Sequence, residues 1–184
     1  SYSGYSAVLR AGNLKLRSGE AQVADEFSRT EGGFSRFNFD VNHVSKLSKV
    51  TQFYIFAHGQ LANRNLDSSE QFYLGGADAV RAYPQGEAGG DSGYQATAEL
   101  RYQTPVKGMS MTLFADVGEV LARKDGDTSD PHRRLAGWGI GAVYSLDRSL
   151  YARLDYARKI KGESYRSEAE DKNGRLWFRL YKLF

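Results

Sequence analysis

Residues 66–93 read LDSSEQFYLGGADAVRAYPQGEAGGDSG, and the fold turns on how this stretch is interpreted. Six of its 28 residues are glycine (Gly75, Gly76, Gly86, Gly89, Gly90, Gly93), and Pro84 interrupts any strand ladder. A loop longer than about 15 residues without structure of its own is uncommon inside a compact domain and is usually functional. Alternating strand patterns flank it on both sides, so it is expected to be a structureless loop within a sheet. A phosphate-cradling loop is excluded, because neither a Lys-Ser/Thr pair nor a helix start follows the glycines.

Outward from the loop, period-two alternation predicts eight strands. After it, residues 94–103 set Tyr94, Ala96, Ala98, Leu100 and Tyr102 against Gln95, Thr97, Glu99, Arg101 and Gln103. Residues 109–121 put Met111, Leu113, Ala115 and Val117 opposite Thr112, Phe114, Asp116 and Gly118. Residues 135–146 oppose Trp138, Ile140, Ala142, Tyr144 and Leu146 to three glycines, and strands at 150–159 and 174–184 follow. Before the loop lie strands at 5–16, with a bulge expected near Gly12, at 34–47 and at 51–63. The polar segment 17–33 is expected to be a loop.

The connections between these strands alternate long and short, which is the pattern of an outer-membrane barrel with short periplasmic turns and long extracellular loops. Strands of this length match a tilted bilayer crossing. Glu99, Arg101, Asp116, Arg153, Asp155 and Arg179 lie mid-strand on the polar face, where a watery lumen suits them. Tyr94, Tyr102, Tyr144 and Tyr156 sit near strand ends on the apolar face, as interfacial girdles require. A soluble up-and-down barrel is the alternative, since alternation alone does not say which face is inside; strand length and the placement of charges and tyrosines argue against it.

Composition adds exclusions. There is no cysteine, so neither a disulfide framework nor a thiolate metal site can form. The net charge of +3 is scattered over both signs without a basic block, so no nucleic-acid partner is expected. His43, His58 and His132 have no ligand-spaced partners, so no metal or cofactor is expected. No catalytic constellation emerges, and the chain is not expected to be an enzyme. The first residues, SYSGYSAVLR, lack a signal-peptide apolar region and open on strand-like sequence, as expected of a mature fragment or an engineered piece.

The run SEQFYLGGADAVRAYPQGEAGGD (69–91), then ATAELRY (96–102) and LFADVGEV (113–120), resembles the two-partner secretion transporters of the ShlB/FhaC/HecB family, relatives of the BamA-type assembly barrels. That resemblance implies an antiparallel up-and-down transmembrane β-barrel, of which this one domain of 184 residues supplies eight strands. It implies an outer-membrane location, a periplasmic C-terminus, extracellular long loops and the ATP-independent export of a large exoprotein. A BamA-like assembly or insertion factor, or a structural barrel without transport, are the alternatives.

The resemblance also assigns residues. The long loop is expected to fold back into the barrel, carrying the motif Val80, Arg81, Ala82 and Tyr83. Arg81 would pair with Glu99 and with Asp116, the latter in the element Phe114-Ala115-Asp116; a guanidinium can fork two carboxylates where a lysine cannot. Gly75 and Gly76 are expected to bend the loop inward. The family usually has glycine where this chain has Ala82, and a positive φ there would strain alanine. Phe178, Leu180 and the terminal Phe184 resemble the signal read by the outer-membrane assembly machinery, with Lys182 interrupting the same face.

One conflict follows from size. A barrel of about eight strands is filled by its own side chains, leaving no room for a 28-residue loop. An open sheet leaves unpaired edges in lipid. For this chain alone the expectation is therefore closure, with the first strand paired to the last and the loop displaced outside; the alternative is the C-terminal half of a barrel twice this size, its edges paired with further strands or another copy and Arg81 reaching Asp116.

Overall fold

The computed structural model describes residues 1–122, 132–147, 149–160, 167–168 and 172–183. Eight long strands form one antiparallel sheet in chain order: β1 (Tyr2–Leu14), β2 (Gly32–Lys46), β3 (Thr51–Ala62), β6 (Ser92–Gln103), β7 (Met109–Leu121), β8 (His132–Ser145), β9 (Leu150–Lys159) and β10 (Gly174–Lys182). Two three-residue strands, β4 (Phe72–Leu74) and β5 (Ala88–Gly90), pair with each other inside the long connection between β3 and β6. The architecture is all-β and up-and-down, as the alternation dictates.

Face assignment follows parity. Along β7 the even positions from Thr112 to Val120 are buried, while Met111, Leu113, Ala115 and Val117 are exposed. The same switch runs along β8, where Arg133, Leu135, Gly137, Gly139 and Gly141 are buried and Trp138 and Ile140 are exposed. The exposed set forms an apolar belt on the convex face: Leu113 is 52%, Ile140 51% and Phe178 67% exposed. Contiguous apolar patches of more than a few hundred Å² are rare on water-soluble monomers, so this belt calls for lipid or another apolar cover. No helix is long and apolar enough to cross a membrane, which says nothing of strands.

Four expectations are corrected. Among the described residues no ladder joins β1 to β10, and the sheet is open. The physical reason is that the concave side is already filled: the buried apolar cluster consists of Phe72, Leu74, Val80, Ala82, Tyr83 and Ala88 from the long connection, packed on Phe114, Val120, Leu135 and Ala157 of the sheet. Loop and closure do compete for one space, and the loop holds it.

Nor is that loop structureless. Asp67 caps a 3-10 turn at Ser68–Glu70, and the β4–β5 ladder pairs Phe72 with Gly90 and Leu74 with Ala88. Hydrogen bonds from the Ser69 hydroxyl and N–H hold the Asp67 carboxyl below its usual range.

Residues 17–33 contain a helix, α1 (Gly19–Ser28), rather than only loop. Ser18 accepts from the Ala21 N–H at its N-terminus, and Arg29 closes it in the left-handed region with φ 53°. Asp25 then accepts from Thr30 and Ser28 hydroxyls and from the Thr30 and Glu31 N–H groups, which drives its pKa far below the ordinary carboxylate value. Finally, β1 carries no bulge: its register with β2 runs unbroken from Tyr2↔Val44 to Leu14↔Gly32. Gly12 instead seats the Phe34 ring, whose Cζ would lie 2.7 Å from a Cβ there.

Candidate functional site

The long connection returns to the sheet as a tied hairpin. Its root is clamped by Gln60, whose amide donates to the Glu70 and Asp91 carbonyls at 2.9 and 3.0 Å, and by Asp91, which accepts from the Leu66 N–H. Gly75 and Gly76 adopt φ of 88° and 113°, a region that side chains disfavour. A Cβ on Gly75 would also sit 3.1 Å from the Glu87 nitrogen. Those bends let the Gly76 N–H donate to the Tyr83 carbonyl at 3.1 Å, closing the tip that carries Arg81.

At that tip Arg81 meets Asp116 of β7 by a bidentate fork, Nε to Oδ2 at 2.9 Å and a terminal nitrogen to Oδ1 at 2.7 Å. Its other terminal nitrogen donates to Glu99 Oε1 of β6 at 2.9 Å. The Arg81 backbone N–H also donates to Asp116 Oδ2 at 3.1 Å, and its carbonyl accepts from the Trp177 indole at 2.7 Å. The guanidinium lies 3.3 Å above the Phe114 ring, where the ring's negative face suits a cation. The ion-pair side chains are dry: Arg81 and Glu99 are each 4% exposed and Asp116 is 1%.

The motif residues thus fall in one place. Val80, Ala82 and Tyr83 are fully buried beside Arg81. Ala82 is free of the strain feared for it, since Arg29 is the one non-glycine with positive φ among the described residues. Its methyl lies against Gly137 of β8, where a built Cβ would approach it to 2.6 Å. Gly141 likewise leaves space for the Asp155 carboxylate, and Gly139 for Phe114. Gly137 is thus the seat for the loop tip, while Gly139 and Gly141 make room for side chains of the sheet beneath it. Gly137→Val is therefore expected to push the tip off the wall at about 1–3 kcal/mol, read as protease cleavage within 77–87. Unchanged protection would show that the methyl contact is not needed.

Phe178 and Leu180 are exposed on the convex face of β10, away from this cluster, while Phe184 lies outside the described residues.

Sequence reasoning missed the extent of the ion network. Arg153 of β9 bridges Glu99 at 2.9 Å and Asp155 at 2.7 Å, and Arg101 holds the other Glu99 oxygen at 2.7 Å. Arg179 of β10 reaches Asp155 at 2.9 Å and pairs with Asp78 of the loop. Thr97 donates to Asp116 at 2.9 Å. Parity had put these side chains on the inner face, but no sequence signal says that β9 and β10 curve round to meet the loop tip. A separate anchor joins Glu87 of the loop to Arg133 of β8 at 2.9 Å and to Ser167.

In this array each carboxylate is matched by arginine, and among the described residues no group of acids and histidines has metal-site geometry. The arrangement can fix a loop.

Residues 6–144 match the family model described as haemolysin secretion/activation protein ShlB/FhaC/HecB. The heme/hemopexin transporter protein HuxB of Haemophilus influenzae is 32% identical over 118 residues, covering 62% of this chain and 21% of that protein. HuxB from a second strain, 86-028NP, gives the same figures. In fold, the chain is similar to CdiB from Acinetobacter baumannii, with a TM-score of 0.61 and 20% identity, over 83% of this chain and 27% of that one. The chain therefore spans about a fifth to a quarter of the length of the relatives it matches.

Proposed function

The chain belongs to the haemolysin secretion/activation family of the ShlB/FhaC/HecB kind, and we propose that it forms part of an outer-membrane pore that exports a large secreted protein. The observation carrying this reading is a sheet with an apolar convex belt and a charged concave face, into which one long loop is folded. A lipid-facing belt and a polar inside are what a transmembrane barrel needs. In this reading the long connections, among them the one between β3 and β6, face outside and the C-terminus faces the periplasm. The edges β1 and β10 pair with further strands of the same barrel, and passage requires no ATP. The loop, locked through Arg81, lines or gates the passage. Phe178, Leu180 and Phe184 serve as the signal for the assembly machinery.

The test is a comparison of secreted proteins between a strain carrying the full-length protein and one lacking it. Loss of one large protein from the medium, with its unfolded form in the periplasm, is expected. An unchanged medium with a general loss of outer-membrane barrels would move the assignment to an assembly factor.

A further inference from the structure

The inner face of β3 differs from the polar inner faces of its two neighbours, β2 and β6. Its three successive inward positions are Tyr54, Phe56 and His58. They are flanked across the ladders by polar groups: Phe56 pairs with Asn42 and Thr97, and His58 with Asp40 and Gln95. None of the three belongs to the buried apolar cluster, and all are half-buried, so the interior packing does not account for them.

The rings are ordered into a row. Phe56 and His58 are parallel, 3° apart in plane with centroids at 6.5 Å, and His58 stacks on Phe72 of the loop at 5.2 Å. Tyr54 is capped by the Arg101 guanidinium at 3.9 Å. His58 is fixed by a 2.6 Å contact with Asp40, which also accepts from Ser6. Phe72 is buried and anchors the row; the three rings of β3 remain accessible.

Two cavities of about 480 Å³ each lie along this row. Tyr54, Phe56 and His58 line the first, and His58 and Phe72 the second. They share Asp40, His58, Asp78, Ala79 and Gln95, so they form one groove between the inward loop and strands β2, β3 and β6.

We propose that Tyr54, Phe56 and His58 are a sliding track for an extended polypeptide with apolar side chains at alternate positions, passing between the loop and the β2–β3 wall. Alternate side chains of an extended chain recur every ~6.7 Å, the spacing of the ring row itself. A chain moving by two residues therefore meets an equivalent set of ring faces. Ring faces hold apolar and aromatic groups without reading sequence, and the polar banks keep the passing backbone hydrated. The charged lining carries both signs with arginine in excess, Asp40, Asp78 and Glu99 against six arginines. The inference rests on the export reading and names the path within it.

The test uses the full-length protein in planar lipid bilayers, probed with two synthetic peptides of equal length, one of alternating Phe-Thr and one of alternating Ala-Thr. The Phe-Thr peptide is expected to dwell in the wild-type pore about tenfold longer than the Ala-Thr peptide. Tyr54→Ala with Phe56→Ala abolishes that difference without lowering the open-pore current, while Phe56→Tyr retains it. Where the double variant fails to insert, Phe56→Leu replaces it and loses most of the difference. Equal discrimination by wild type and variants overturns the track but leaves the pore intact. Entry of neither peptide into the wild-type pore overturns the export reading, and the track with it.

Discussion

Arg81→Ala is expected to cost about 3–5 kcal/mol of stability and to free the loop tip while the eight strands persist. The reason is burial of the partner. Asp116 is 1% exposed, and Arg81 supplies its only ion pair among the described residues, leaving only the neutral donors Thr97 and the backbone N–H of position 81 in the variant. Exposed pairs are worth only ~0–1 kcal/mol, but burial keeps this one from bulk solvent. Glu99 fares better, because Arg101 and Arg153 remain on it. A double-mutant cycle of Arg81→Ala with Asp116→Asn, read by urea unfolding in lipid, should show strong coupling, and a weaker one with Glu99→Gln. Arg81→Lys should not rescue, since one ammonium cannot fork both oxygens while reaching Glu99. Additive effects of Arg81 and Asp116 would mean that the pair is not the fastener.

Leu113→Arg should cost about 2–4 kcal/mol, the penalty for a cation facing lipid near mid-bilayer. The position is exposed, so in water the same change would be close to neutral. Gln95→Arg, which faces the groove, should change stability by less than ~1 kcal/mol. Thr97 looks like an equally mild inner position by parity alone, yet its hydroxyl holds Asp116, and an arginine there would compete with Arg81. Equal penalties at positions 95 and 113 would contradict the membrane placement of the sheet.

Much of this was written in the alternation. Inner and outer faces of β6, β7 and β8 could be assigned residue by residue, because a two-residue period leaves only two choices. The Arg81, Glu99 and Asp116 constellation came from motif resemblance, and no spacing rule would have joined positions 35 residues apart. What stayed hidden was three-dimensional. Helix α1 buries no side chain, and Val23 and Phe27, four apart, make an apolar stripe too short to stand out in a polar segment; the Ser18 cap and Glu20 were the other available signals. The β4–β5 ladder consists of three-residue strands, one of them with two glycines, below the length at which alternation speaks. Closure was misjudged because the cost of open edges was weighed without the ten-residue apolar cluster and ion network that the inward loop creates. In the sequence the glycines at 137, 139 and 141 are only the face opposite Trp138 and Ile140, whereas in the fold each absent side chain leaves room for a particular neighbour.

The central claim is that residues 66–93 lie inside the concave sheet. The chain has no cysteine, so an engineered pair reports on it without background. A Cβ on Gly118 of β7 would lie 2.6 Å from a Leu74 methyl of β4 and 2.9 Å from the Tyr94 carbonyl oxygen, so cysteines at 74 and 118 are neighbours that can be bridged once the backbone at Tyr94 gives slightly. In the full-length protein in intact outer membranes, Leu74→Cys with Gly118→Cys should oxidise to completion. It should do so as readily as the cross-strand control pair Ala98→Cys with Ala115→Cys. Oxidation of the control pair with none between positions 74 and 118 would contradict an inward loop.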